Sequence, residues 1–317
     1  MIKNIYKKIN SKLSLYIFGN PNRFNYNLFN FFYKYLICKN DKKNKKIDDL
    51  VKIGYFKSNK ASNEFVNFLK KNIIDINFNS DDVKPTIFKE KNISLNIDPS
   101  LRKKIIDFIK TNFKEDLIAL ENYYNNKIAI GEIQVKRNLP LDNVQYYDKS
   151  SRSKEFEVYS NYYHADAYVN THLKMWINLQ DVGKENGPLH IYSKSSSKKF
   201  IKKNKYKDRN NYKVEELEDD VFINSGQIGD TLFANTTECL HRAGIPEKNN
   251  HRDIMFVSFI FIPKKISNND LCLDYYSKID ENLVWSHSSD NIVFKTKPKK
   301  FIETFNLLKE YYYAKIN

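Results

Sequence analysis

Cysteine is scarce in this chain. Only Cys38, Cys239 and Cys272 occur, an odd number without paired spacing, which argues against a disulfide framework. A reducing, cytoplasmic setting is the simplest expectation from that usage. Long apolar runs are also missing: none reaches the roughly 18 residues a membrane-spanning helix needs. The short apolar run at 13–19 has no small-residue cleavage site after it, so a secretory signal is not expected. There is no internal repeat, and no basic-aromatic nucleic-acid motif accompanies the formal net charge of +15. Lysines are spread over the whole length, beside abundant Asn, Ile, Tyr and Phe. Compositional bias is therefore preferred to a nucleic-acid footprint, and nucleic acid is not expected as a partner.

What is present is enough for a packed core. Of 317 residues, 41% are hydrophobic and 15% aromatic, which excludes disorder for most of the chain. Residues 1–46 read as an appendage. The stretch 24–38 is dense in Phe, Tyr and Leu, and a basic run at Lys42, Lys43, Lys45 and Lys46 closes it. A helix packing this aromatic face on the main domain is preferred here to a peripheral membrane contact.

From residue 48 the periodicity predicts helix and then strand over 48–56, and helices over 61–74, 99–109 and 111–124, with a polar loop at 80–91. Strands follow at 127–136, around His164, and at 172–180, 189–192, 221–223, 231–234 and 253–262. A polar loop is expected at 137–153 and a solvated, charged insertion at 193–220. The chain ends in an amphipathic helix over 301–316. Helices first and then many closely spaced strands predict a mainly β fold, a sandwich or barrel backed by helices.

His164-Ala-Asp166 is the stretch the chain is organised around. On a strand, residues two apart point to one face. With His241 from a distant strand they would place two imidazoles and a carboxylate on one side of a metal, a set that suits non-haem Fe(II) and leaves positions open. In the strand at 172–180, one face carries Leu173, Met175, Ile177 and Leu179, and the other His172, Lys174, Trp176, Asn178 and Gln180. If helices cover the apolar face, the polar face with Trp176 lines the interior. Arg252 opens an otherwise apolar strand and shares its face with Ile254, Phe256 and Ser258. Burying such a guanidinium is costly unless a carboxylate meets it, and that carboxylate could belong to a ligand.

His164-Ala-Asp166, Trp176-Ile-Asn-Leu-Gln-Asp, Asn186-Gly-Pro-Leu-His190, Gly229-Asp-Thr-Leu-Phe and His241 with Arg252 eleven positions on resemble the phytanoyl-CoA dioxygenase family of Fe(II)/2-oxoglutarate oxygenases. The likeness spans about residues 48–265. It implies a double-stranded β-helix (a cupin-like jelly roll) over 47–317, with flanking helices. It implies His164, Asp166 and His241 as iron ligands and catalytic centre, Arg252 on the distal carboxylate of 2-oxoglutarate, and Trp176 near that co-substrate. Ser258 and Lys136 (or its neighbour Arg137) are further candidate co-substrate contacts. Fe(II), 2-oxoglutarate and O₂ would oxidise a small molecule, with an anionic one as the expectation, and succinate and CO₂ would be the co-products. Asp166 favours hydroxylation over halogenation, because halogenating relatives lack the carboxylate. The family often has a hydroxyl two residues after the distal histidine, where this chain has Ala243. The competing reading is an inactive jelly roll that only binds a ligand or partner.

Overall fold

The computed structural model describes residues 2–18, 24–39, 44–77, 86–87, 99–140, 144–145, 160–166, 172–203, 220–262, 273–274 and 301–313. The first half is helical: α1 (Ile2–Phe18), α2 (Phe24–Leu36), α3 (Lys45–Lys52), α4 (Asn63–Leu69), the one-turn α5 (Asp75–Asn77), α6 (Pro99–Asn112) and α7 (Lys114–Tyr124). Local chemistry sets these boundaries. Asn44 and Ser62 cap α3 and α4 by accepting from the backbone N–H groups of Ile47 and Phe65. Asn125, in the left-handed region at φ 51°, ends α7. The strands are β1 (Tyr55–Lys57), β2 (Thr86–Ile87), β3 (Lys127–Asn138), β4 (Val144–Gln145), β5 (His172–Asn178), β6 (Leu189–Tyr192), β7 (Val221–Asn224), β8 (Thr231–Ala234), β9 (His241–Ala243), β10 (Arg252–Ile262) and β11 (Leu273–Asp274). Helix α8 (Lys194–Lys203) follows β6, and α9 (Phe301–Tyr313) comes last.

Strand pairing decides the architecture. From Lys127 on, eight segments pair in nested, antiparallel fashion. β3 meets β10, the stretch around His164 meets β9, β5 meets β8, and β6 meets β7. A long hairpin rolled in this way gives two facing sheets, a jelly roll. One sheet has the order β1-β8-β5-β10-β3-β11, and the other β7-β6-β9. His164 extends the second through an isolated bridge to His241 rather than from a full strand, which corrects the expectation of a strand there.

Burial separates three layers. Leu173, Met175, Ile177, Val135, Met255, Val257 and Phe259 face the helices and join one core with Phe65, Ile109, Leu117 and Tyr311. Phe233 from β8 stacks on Phe56 at 5.0 Å. Full burial of each such ring stabilises by about 1.5–3 kcal/mol. Trp176, Leu189, Ile191, Leu232 and Ile254 meet between the two sheets. The helices therefore cover the apolar face of β5 and turn its polar face inward, as the pattern at 172–180 required.

Three differences from the sequence reading have physical causes. Along β3 the inward-outward phase slips: Ile128 and Ile130 share the helix side with Ile133 and Val135 because the register against β10 shifts between Val257 and Phe259. The slip is a bulge at Gly131-Glu132, and Arg102 of α6 donates to the Gly131 carbonyl at 2.8 Å. The first part of the expected loop at 193–220 is helical instead. Ser193 caps α8 by accepting from Ser196, and Phe200 and Ile201 pack with Tyr163, Tyr192 and Leu240 on the outer side of the second sheet. Residues 204–219 of that insertion lie outside the described residues. The loops expected at 80–91 and 137–153 contain β2 and β4, which pair in parallel, and the rest of both falls largely outside the described residues.

Candidate metal centre

His164 and His241 are held side by side by reciprocal backbone bonds. His164 N–H donates to the His241 carbonyl at 3.0 Å and the reverse bond is 2.9 Å. Asp166 N–H donates to the Thr236 carbonyl at 2.9 Å, so the carboxylate is fixed to the same edge. The imidazole centroids are 4.3 Å apart. All three side chains are buried, and their ligand atoms lie within 4.8 Å of one another. Three points so spaced have a common centre no farther than about 2.8 Å from any of them. Sub-ångström side-chain shifts would bring that to the roughly 2.0–2.2 Å of metal–N and metal–O bonds.

The hydrogen bonds of the rings prepare them as ligands. His164 Nδ1 lies 2.8 Å from the Tyr162 carbonyl, and His241 Nδ1 lies 3.1 Å from the Cys239 carbonyl. A carbonyl only accepts, so each Nδ1 must carry a proton, and in the neutral ring each Nε2 then presents its lone pair. Those Nε2 atoms stand 3.9 Å from Asp166 Oδ1 and Oδ2 respectively. Backbone-anchored neutral imidazoles facing a carboxylate form the donor set of a transition-metal site, and the residues present fit one.

The interior face beside this centre is cationic. Lys174 Nζ is 2.7 Å from Asp166 Oδ2. Lys136, on the same interior face, lies 4.7 Å from the Phe256 ring centroid, and Lys174 lies 5.5 Å from it. Burial pushes the Lys136 ammonium down to about 8; Glu132 opposes the shift, and Lys174 and Arg252 add to it. Arg252 is buried and donates from Nη1 to the Gly187 carbonyl. That carbonyl is placed by Gly187 at φ +63°, whose Cβ, if it had one, would lie 2.4 Å from the Ile245 backbone. The Asn186-Gly-Pro motif thus builds the seat of Arg252.

The other candidates are distributed as follows. Trp176 stands 6.2 Å from the His241 ring, centroid to centroid, and closes the interior beside the centre. Arg137 points to the helix side and is bound to Asp253 through two contacts of 2.7 Å, so it is not at the site and Lys136 is the interior member of the pair. Ser258 sits opposite Lys174 on β10. It is six residues from Arg252, about 20 Å along a strand, so one small dicarboxylate cannot touch both. His190 is structural: burial, then Arg242 and Arg252, push its pKa down to about 4, and its Nδ1 accepts from Arg242 Nε at 3.1 Å. Asn178 was not foreseen as a site residue. It is 1% exposed on the interior face of β5, and its side-chain Nδ2 is without a partner among the described residues. The inward pattern of β5 was the signal that could have found it.

Neither a family model nor a curated protein sequence matches the chain. Solved structures do resemble its course. One is the non-haem α-ketoglutarate-dependent epimerase SnoN from nogalamycin biosynthesis, at 13% identity and TM-score 0.44, covering 68% of this chain and 82% of that one. Another is EctD from S. alaskensis with 2-oxoglutarate and 5-hydroxyectoine, at 11% identity and TM-score 0.44, covering 72% and 80%. A third is the non-haem monooxygenase ThoJ in a nickel complex, at 10% identity and TM-score 0.38, covering 68% and 76%.

Proposed function

We propose that the chain is an Fe(II)- and 2-oxoglutarate-dependent oxygenase of a small molecule, with His164, Asp166 and His241 as the iron ligands. The observation that carries this reading is the convergence of two Nδ1-anchored imidazoles and one carboxylate, all buried, within 4.8 Å. A facial set of two histidines and one carboxylate leaves open positions on iron for co-substrate and oxygen. Iron bound there would let O₂ act as the oxidant, with 2-oxoglutarate giving up two electrons as it becomes succinate and CO₂ and the substrate giving up the other two.

The chain's own residues bind and orient. Arg252 offers a guanidinium to the distal carboxylate, Lys136 adds a second cation, and the Asn178 amide supplies a neutral donor. Trp176 and Ile254 keep water from the space between them. Lys174 sits 2.7 Å from Asp166 Oδ2, which leaves Oδ1, on the His164 side, as the oxygen to bind the metal. Two lysines and an arginine on one interior face also favour an anionic substrate over a cationic one. The resemblance to the phytanoyl-CoA dioxygenase family is consistent with these roles.

The test is 2-oxoglutarate decarboxylation with added Fe(II), with or without a second substrate. Wild type should release CO₂, His164→Ala should not, and Arg252→Ala should do so only at much higher 2-oxoglutarate. Neither CO₂ release nor iron uptake by wild type would favour the second reading, a ligand-binding jelly roll in which Lys174 simply neutralises Asp166.

A further inference from the structure

Helix α1 is amphipathic in the wrong direction for a helix that belongs to a closed core. Ile5, Tyr6, Ile9, Leu13, Tyr16 and Ile17 are all exposed, from 44% for Leu13 to 89% for Tyr16. At 100° per residue they fall within an arc of about 120°. The side turned to the protein is the small, polar one: Ser14 is fully buried and accepts from Asn27 Nδ2 of α2 at 2.5 Å. The apolar stripe continues onto α2, where Phe18 meets Phe31 at 6.2 Å and Phe31 meets Tyr35 at 4.7 Å, with Tyr35 69% exposed.

Charge identifies the occupant. Exposed Lys8 and Lys12 border one edge of the stripe. The first forty residues hold seven Lys and Arg and no Asp or Glu. A second copy of this chain would set this basic face against itself, and like charges at contact oppose pairing. An anionic lipid surface complements it, with apolar side chains entering the acyl boundary and lysines at the headgroups. No described helix is long and apolar enough to cross a membrane. A 17-residue helix, about 25 Å long, lies along the surface instead.

We infer that α1, with the adjoining aromatic face of α2, docks this protein on anionic membrane surfaces. This docking is independent of the metal centre, so its test uses the metal-free full chain and leaves the oxygenase reading untouched. The measurement is co-sedimentation with vesicles of phosphatidylcholine containing about 30% phosphatidylglycerol, alongside pure phosphatidylcholine. Wild type should pellet with the anionic vesicles and far less with the neutral ones. The double variant Ile9→Ser/Tyr16→Ser should lose about tenfold or more in partition coefficient, with an unchanged melting temperature and circular dichroism, since both side chains are exposed. Lys8→Glu/Lys12→Glu should weaken binding to anionic vesicles without changing the fold. Wild type left in the supernatant would overturn the inference, as would a double variant that binds like wild type. A wild-type dimer in sedimentation equilibrium that the double variant abolishes, without vesicle binding, would instead assign the face to a second copy.

Discussion

A ligand imidazole is useful to a metal only if its proton sits on the far nitrogen, and here two backbone carbonyls put it there. The same residue-scale logic makes Lys174 double-edged. Its ammonium orders Asp166 at 2.7 Å, yet a cation beside a cation site opposes occupancy. Lys174→Met should therefore bind Co(II) or Fe(II) about tenfold more tightly in a titration, whereas Lys174→Arg should stay near wild type. Weaker binding by Lys174→Met would mean that orientation outweighs repulsion.

Lys136 bears on stability. Its folded pKa is about 8, below its ordinary 10.5, so between those values the unfolded chain holds more protons than the folded one. Stability from this group therefore rises with pH across that window and is flat below it. Lys136→Met should unfold at higher denaturant than wild type at pH 7, by up to about 3 kcal/mol, with the gap closing toward pH 10. A gap that does not change with pH would contradict the buried-ammonium account. At this scale the sequence was informative in the spacing of His164 and Asp166, two apart, and in Arg252, which opens an otherwise apolar strand. It could not tell Lys136 from Arg137, because adjacent strand residues take opposite faces and the bulge at Gly131-Glu132 resets which is which.

At the scale of elements, the β5 face and the turn at Asn186–Pro188 do most to shape the site. Gly187 and Gly244 pass backbone against backbone: a Cβ on Gly244 would lie 2.5 Å from the Pro188 carbonyl oxygen. Gly187→Ala should cost about 2–4 kcal/mol in chemical denaturation, because a left-handed residue and a backbone clash are combined. It should also weaken 2-oxoglutarate binding by displacing the carbonyl under Arg252. A variant with wild-type stability would show that the two turns are not tightly apposed. The strands of the roll were legible because each alternates or runs apolar between turn residues. Helix α8 was not, because Phe200 and Ile201 are its only large apolar residues amid lysine and serine. Its stability comes from tertiary packing, which periodicity cannot weigh.

For the whole molecule, the order of helices and strands pointed to a roll backed by helices, and the nested pairing produces one. Which way an amphipathic helix faces is a different matter. Periodicity alone does not say whether the domain or something outside covers the stripe of α1, whereas the inward packing preferred from sequence for the stretch 24–38 is what α2 shows. Tyr26, Phe29 and Tyr33 of α2 are buried, with Tyr33 and Tyr311 of α9 meeting edge-on at 5.1 Å. Because the proposed ligands come from two separated parts of the chain, metal should stabilise the entire roll. At a hundred times its Kd, Co(II) should add about 2.7 kcal/mol and raise the melting temperature by several degrees. Asp166→Ala should lose that shift, and an equal shift in the variant would locate the metal elsewhere.

The central claim is that His164, Asp166 and His241 close on one ion. The most direct measurement is anaerobic equilibrium dialysis of Fe(II) against wild type and the three single alanine variants. The account predicts one iron per wild-type chain and loss of uptake in every variant. Wild type that retains no iron, or variants that retain as much as wild type, would contradict it.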